Sequence, residues 1–197
     1  MRAASVALIG TLAAAGVASA EPKPNPADAP AGRYALDARH TSVLASVTHM
    51  GLSHFTMRIK GVQGTYDYDP AHPEASRISV TLDARTLDAG DPAVSQEFAK
   101  EFLAADIRPE ITFVSTSIVP GAGGHGVVRG DLTFRGVTRP VELQVAYNGF
   151  DSSMILGKHM GFSATGTIRR SEFGSKAYLG QVSDEVKLVI ETEFAKK

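Results

Sequence analysis

Residues 130–143 read GDLTFRGVTRPVEL, and this stretch decides the fold class. Apolar side chains occupy alternate positions in both halves of the stretch, and Gly136 separates the two halves. Alternation with a period of two is typical of a β-strand with one buried face. We therefore predict two antiparallel strands joined by a hairpin connection at residues 135–140. In this connection Gly136 takes a positive φ, and Pro140 lies where the second strand starts.

The same alternation recurs along the chain and predicts an all-β architecture. One segment departs from it: Asp91–Leu103 has an N-cap residue, a proline at the first helical position and apolar residues four apart, which predicts a short amphipathic helix. Strands without a βαβ rhythm indicate a closed barrel or a sandwich. We favour an eight-stranded antiparallel β-barrel with one short inserted α-helix, because closure removes exposed strand edges. Nine segments with strand character correspond to roughly eight strands, and they lie near residues 34–36, 42–50, 55–68, 77–84, 111–118, 127–134, 141–147, 162–169 and 186–194.

The N-terminal segment predicts export. Residues 1–20 combine one arginine, an apolar run and a final Ala-Ser-Ala, which is typical of a secretory signal peptide cleaved after Ala20. Residues 21–32 contain four prolines and no large apolar side chain, so we expect a stiff, solvated leader that buries nothing. Residues 33–197 are long enough for one domain with its own core.

Composition excludes several function classes. The chain has no cysteine, so disulfides and thiolate metal sites are ruled out. A formal net charge of -1 disfavours a nucleic-acid-binding protein. The chain has no further long apolar stretch, so we expect a protein that is not membrane-integral. The six histidines show no metal-binding spacing, and no phosphate-binding loop or nucleophile elbow is present, so we predict neither a metal site nor an enzyme.

Several ordered sequence blocks resemble the YceI-like family over most of residues 34–194. The resemblance implies a lipocalin-like barrel, exported to the bacterial periplasm, that encloses a polyisoprenoid or a similar amphiphile such as an isoprenoid quinone. It implies no cofactor other than this lipid ligand, and it also suggests a homodimer. The blocks that carry it are HTSV (40–43), HMGLS (49–53), GVQGTYD (61–67), PEITFVST (109–116), GDLTFRGVT (130–138), GFSA (161–164) and RSEFG (170–174).

A lipid site requires an apolar lumen with few polar groups at its mouth. Large apolar residues on the predicted inward faces are the candidates for the lumen, although ordinary core is the better interpretation of any single one, since large apolar residues are mostly buried. His49, Arg135 and Arg139 are the candidates for contact with a polar head group; the alternative for the two arginines is a solvated hairpin tip. The lumen candidates are Val47, Met50, Leu52, Phe55, Met57, Phe98, Phe102, Phe113, Phe134, Phe162 and Ile168.

Two alternatives to lipid binding stay open. The first is a stress-response or structural module whose packed barrel binds no small molecule. The second is a hydrolase, which would require a convergent Ser/His/Asp or multi-histidine site that the linear sequence does not display. The volume of the barrel interior discriminates between the first alternative and a lipid-binding protein.

Overall fold

The computed structural model describes residues 22–153 and 157–197, which form a closed barrel of eight antiparallel strands. Each strand pairs with the next one, and the last strand pairs with the first. This confirms the predicted barrel, while the predicted signal peptide lies outside the described residues. The elements are β1 (Gly32–His49), β2 (Ser53–Tyr68), β3 (Arg77–Asp88), α1 (Pro92–Leu103), β4 (Glu110–Pro120), β5 (His125–Phe134), β6 (Val137–Ser153), β7 (Gly157–Arg169) and β8 (Glu185–Lys196).

Antiparallel pairing gives the barrel two distinct ends. The helix end carries the β1–β2 turn, α1, the β5–β6 turn and residues 170–184, which connect β7 to β8. The leader end carries the β2–β3 and β4–β5 connections and residues 22–31, which precede β1. A separate apolar core cluster lies towards each end, and residues of both clusters line the lumen.

The helix α1 forms as its sequence predicts. The Asp91 carboxylate accepts hydrogen bonds from the amides of Ala93 (2.9 Å) and Val94 (3.0 Å), and so satisfies two of the otherwise unpaired N–H groups of the first turn. The helix ends at Leu103, and its C-cap residue Ala104 adopts the left-handed conformation with φ 54°. In the part of the chain that the structure describes, no helix is both long and apolar enough to cross a membrane.

A bulge in β1 joins two strands that the sequence pattern separates. Residues 34–36 and 42–50 belong to one continuous strand, whose register against β8 shifts between Asp37 and Ser42. Within the bulge, the Thr41 hydroxyl donates a hydrogen bond to the Asp37 carbonyl (2.8 Å). Because the bulge changes the parity of the strand, Leu36 and Thr41 both line the lumen.

The connection between β5 and β6 is shorter than expected. The turn consists of Arg135 and Gly136, with φ values of 54° and 75°, and β6 already begins at Val137. Two consecutive positive φ values are typical of the two-residue turns that match the twist of a hairpin. The predicted positive φ of Gly136 is confirmed. The predicted six-residue connection is wrong, because Pro140 lies inside β6, opposite Asp131.

The proline-rich leader packs against the barrel instead of remaining solvated. The Tyr34 hydroxyl donates a hydrogen bond to the Pro30 carbonyl at 2.7 Å. The Tyr68 hydroxyl donates one to the Pro26 carbonyl at 2.8 Å. Ala29 is only 1% exposed, so the expectation that this segment buries nothing is wrong. The leader lacks large apolar side chains, but its carbonyl groups accept hydrogen bonds from tyrosines of the barrel.

Candidate functional site

A cavity of about 920 Å³ occupies the barrel and is lined by residues from the helix end to the leader end. All eight strands contribute inward-facing side chains to its wall, most of them apolar. Protein interiors normally contain few voids larger than a water molecule. The volume is instead typical of a pocket for a small-molecule ligand.

The alternation in the sequence places most of the predicted lumen residues correctly. Nine of the eleven candidates line the cavity, whereas Met50 and Leu52 lie in the β1–β2 turn and are 61% and 82% exposed. The expectation that these two residues face the lumen is wrong, because the alternating pattern ends where β1 ends, at His49. The nine that line the cavity are Val47, Phe55, Met57, Phe98, Phe102, Phe113, Phe134, Phe162 and Ile168.

Aromatic side chains of α1 close much of the helix end. The Phe98 ring lies 5.5 Å from the Phe55 ring and 5.0 Å from the Phe102 ring, both in edge-to-face geometry. The apolar face of α1 therefore packs over the lumen. The helix acts as a cover at this end because Phe98 and Phe102 lie one turn apart on its inner face.

Arg170 is a buried cation in the wall of the cavity, and the sequence reasoning did not single it out. It is 4% exposed and lines the helix end. Its Nε donates to the Ser183 carbonyl (2.9 Å), and its Nη1 donates to the carbonyls of Ser175 (3.0 Å) and Ala177 (2.8 Å). Its Nη2 donates to the Val182 carbonyl (2.9 Å). These four bonds lie within residues 170–184 and hold this connection folded around the Arg170 guanidinium.

The surroundings of Arg170 are mainly apolar on the side of the lumen. Its guanidinium carbon lies 5.3 Å from the centre of the Phe102 ring, within the range of a cation–π contact. Burial lowers the pKa of Arg170, whereas the charge of Asp184 raises it. An arginine keeps its proton in proteins, so the side chain is a permanent positive charge at this end of the cavity.

Ser175 and Asp184 complete the polar part of the helix end. Ser175 is 1% exposed and lines the cavity, and its Oγ has no hydrogen-bond partner among the described residues. Asp184 accepts hydrogen bonds from the amide and the hydroxyl of Ser171, both at 2.8 Å. Burial alone raises the pKa of Asp184, but these two hydrogen bonds, together with Arg169 and Arg170, hold that pKa below its ordinary value.

Four tyrosines cluster at the leader end. Burial, reinforced by the neighbouring Tyr68, raises the pKa of Tyr34 to about 12. Burial is also the main cause that raises the pKa of Tyr66, Tyr68 and Tyr147. The Tyr147 hydroxyl is buried beside the lumen and has no hydrogen-bond partner in residues 22–153 and 157–197.

The leader end is also the more open one. The exposed residues Asn25, Val119, Gly121 and His125 line the cavity there and form a rim. At the helix end, by contrast, buried or half-buried side chains form most of the lining, and His49 is an exposed exception. The mouth of the cavity therefore lies at the leader end, where a ligand would enter.

The three head-group candidates have different surroundings. His49 lines the cavity at the helix end. Arg135 does not line it, because its Nη1 donates to the last carbonyls of α1, those of Glu101 (3.1 Å) and Phe102 (3.2 Å). Arg139 is exposed and lies outside the lining. Neither arginine lines the cavity, and their contact with a polar head group stays a prediction.

The exposed His40 lies beside two carboxylates. Its Nδ1 lies 2.9 Å from Asp37 Oδ2 and 3.8 Å from Glu193 Oε2. The hydrogen bond from His40, followed by that from the Arg39 amide, lowers the pKa of Asp37. Within residues 22–153 and 157–197, no three His, Asp or Glu side chains converge as a metal site would require.

Comparison with known proteins places this barrel among solved relatives. The crystal structure of Burkholderia cenocepacia BcnA matches with a TM-score of 0.71 and 25% identity, over 80% of this chain and 98% of that one. A domain from Saccharophagus degradans, described as polyisoprenoid binding, matches with a TM-score of 0.62 over 83% of this chain and 98% of that one. Its identity is 12%, so this second likeness is one of fold.

Sequence comparison covers the same region. Protein YceI of Shigella flexneri is 32% identical over 166 residues, which is 83% of this chain and 86% of that protein. The model of the YceI-like domain matches residues 34–194, from near the start of β1 almost to the end of β8. With this match and this degree of identity, the chain belongs to the YceI-like domain family.

Proposed function

We propose that the protein encloses a polyisoprenoid, or an amphiphile of the isoprenoid-quinone type, in the lumen of its barrel, and so transports, stores or sequesters it. The cavity of about 920 Å³ carries this proposal. An eight-stranded barrel can fill its interior with its own side chains, so a continuous apolar lumen is a feature that packing alone does not require.

The gain from burial is sufficient for tight binding. Each buried methylene contributes about 0.8 kcal/mol, so one five-carbon isoprene unit contributes about 4 kcal/mol before the costs of association. A few units therefore give useful affinity even after those costs are subtracted. Phenylalanine and methionine in the wall, such as Phe113 and Met57, suit a flexible branched chain because their contacts tolerate changes of shape.

The polyisoprenoid-binding description of the Saccharophagus degradans domain supports the proposal at the level of the fold alone. The large lumen favours a ligand-binding protein over a structural module with a packed barrel. We also propose that the protein acts in the periplasm after cleavage following Ala20. N-terminal sequencing of protein isolated from a periplasmic fraction would test this, and an uncleaved N-terminus would contradict it.

A variant that fills the lumen tests the proposed function directly. Ala164 lies in the wall of the cavity near the middle of β7, whereas its neighbour Thr165 is exposed on the outer face. Native mass spectrometry of protein purified without detergent should show a bound lipid in the wild type and in Thr165→Phe. In Ala164→Phe, the bound lipid should be absent or should be one with a shorter chain. Absence of bound lipid from the wild type, together with failure to bind added prenyl lipids, would refute the proposal.

A further inference from the structure

We propose that the helix end of the cavity recognises an acidic, oxygen-bearing head group of the bound lipid, a carboxylate or a phosphate, through Arg170 and Ser175. This inference rests on the proposed function, since it names the chemistry of the ligand that the same cavity encloses. The hydrocarbon tail then extends along the apolar lumen towards the mouth at the leader end.

Arg170 retains binding capacity that its protein contacts do not use. A guanidinium has five N–H donors. The four hydrogen bonds from Arg170 to backbone carbonyls leave one donor without a hydrogen-bond partner among the described residues. These partners are neutral, so they stabilise the geometry of the guanidinium without neutralising its charge.

No carboxylate of residues 22–153 and 157–197 forms an ion pair with Arg170, since none of their oxygens lies within 4.0 Å of its nitrogens. Asp184 directs its oxygens to Ser171 and lies 3.9 Å from the exposed Arg169. A buried charge without an anionic group in direct contact is unfavourable in an apolar environment, even where carbonyls accept its hydrogen bonds and a carboxylate lies farther away. An anionic ligand group in contact with Arg170 would reduce this cost.

Ser175 provides a second polar group beside this cation. Its Oγ is buried without a partner, and buried polar atoms in native structures nearly always have one. A hydroxyl can donate to an anionic oxygen, and hydrogen bonds to charged groups are the stronger ones. The Arg170 guanidinium and the Ser175 hydroxyl, both buried in the cavity wall, can thus each donate a hydrogen bond to an anionic oxygen of a ligand.

The unpartnered Tyr147 hydroxyl at the leader end is the rival location for the head group. The cost of burial favours the helix end, because a buried charge that is offset only by a more distant carboxylate, that of Asp184, is less favourable in an apolar environment than an unbonded hydroxyl. The phenol suits a neutral group, whereas the guanidinium suits an anion. The helix end is therefore the better site for an acidic head.

Pairs of probes with the same tail and different heads test this inference. Oleate and oleyl alcohol form one pair, and geranylgeranyl phosphate and geranylgeraniol form the other; the two pairs distinguish a carboxylate from a phosphate. Dissociation constants are measured on the wild type after removal of bound lipid and on Ser175→Ala, Arg170→Met and Tyr147→Phe. Arg169→Met is the matched control, because it removes a neighbouring arginine that lies outside the cavity lining.

We expect the acidic probe of at least one pair to bind about tenfold more tightly than its alcohol, since a hydrogen bond to a charged group contributes roughly this factor. The preference should fall below about threefold in Ser175→Ala and in Arg170→Met, and persist in Arg169→Met. Because Arg170 also holds residues 170–184 in place, Ser175→Ala carries the test if Arg170→Met fails to fold.

Equal binding of acid and alcohol by the wild type would overturn the inference and leave lipid binding intact. A preference that survives Ser175→Ala but is lost in Tyr147→Phe would also overturn it, because the head group would then lie at the leader end. If none of the four probes binds and native mass spectrometry detects no bound lipid, the proposed function itself is refuted.

Discussion

Gly130 shapes the wall of the lumen through the absence of a side chain. A Cβ atom at this position in β5 would lie 2.6 Å from both Phe113 Cε2 and the Val114 carbonyl oxygen, and it would also contact Phe113 Cζ. The Phe113 ring occupies the space that a side chain would otherwise take. The glycine thus allows a large aromatic residue of the adjacent strand to line the cavity.

We predict that Gly130→Ala destabilises the protein by about 1–3 kcal/mol, the usual cost of overpacking. The ring can shift, but the Val114 carbonyl belongs to the sheet and cannot move without disturbing strand pairing. Gly161→Ala is the control, because its Cβ would meet Asn148 Cβ at an ordinary 3.6 Å. Urea unfolding measures both variants, and equal free energies of unfolding would contradict the prediction.

The carboxylate of Asp184 gives a pH-dependent contribution to stability. Its pKa is lower in the folded chain than its ordinary value, so the folded state favours the ionised form. The contribution is present above about pH 4, the pKa in the unfolded chain, and is lost as the pH falls through the lower folded pKa. The difference in the free energy of unfolding between the wild type and Asp184→Asn should therefore shrink on acidification.

Urea titrations at about pH 7 and about pH 3 would measure this change, with the exposed Asp106→Asn as the control. At neutral pH, we expect Asp184→Asn to cost about 1–2 kcal/mol, because two hydrogen bonds to a charged acceptor are weakened. A difference between the two proteins that does not vary with pH would show that Asp184 does not act through its charge.

Residue-level predictions succeed where the strand period determines which face a side chain occupies. Val47, Phe113 and Ile168 lie on the predicted face because each belongs to a regular strand. Arg170 and Ser175 were missed because residues 170–184 have no repeating pattern. Their location at the end of the cavity follows from the closure of the barrel, which a linear pattern does not contain.

At the scale of elements, the β5–β6 turn and α1 stabilise each other. Arg135, in a left-handed conformation, directs its guanidinium to the last carbonyls of the helix. A cation at a helix C-terminus also interacts favourably with the helix dipole. The sequence indicates the helix and the turn separately, but the contact between them depends on the tertiary fold.

We predict that Arg135→Asn lowers the free energy of unfolding by about 0.5–1.5 kcal/mol through the loss of these hydrogen bonds. Asparagine tolerates positive φ, so the substitution removes the guanidinium without straining the turn. Arg139→Asn, two positions into β6 and exposed, should have little effect. Hydrogen exchange at the C-terminal turn of α1 would localise the effect. Unchanged protection there would show that Arg135 does not stabilise the end of the helix.

The leader illustrates a limit of pattern-based prediction at this scale. It has no large apolar side chain, yet Ala29 is buried, and Tyr34 and Tyr68 bind the carbonyl groups of the leader and hold it over the end of the barrel. Backbone acceptors are present in every residue, so composition gives no signal for such contacts. The same limit explains why the bulge in β1 was predicted as a break between two strands.

At the scale of the whole molecule, closure of the sheet turns eight alternating strands into a lumen with unlike ends. One end contains a buried cation under a helix, and the other contains tyrosines under the leader. The number of strands and their inward faces follow from the sequence. The volume that remains after packing depends on the shear and tilt of the barrel, so only the structure gives it.

The tyrosine cluster makes the whole barrel sensitive to alkali. The pKa of Tyr34 is raised to about 12, and that of Tyr66 is also raised by burial. As the pH rises, these hydroxyls therefore lose their protons at a lower pH in the unfolded chain than in the folded one. Their contribution is present below about pH 10 and is lost as the pH rises towards about 12. The free energy of unfolding should therefore fall over this range, more steeply in the wild type than in Tyr66→Phe. Ionisation, followed by tyrosinate absorbance, should coincide with unfolding; full ionisation near pH 10 in a protein that stays folded would contradict the prediction.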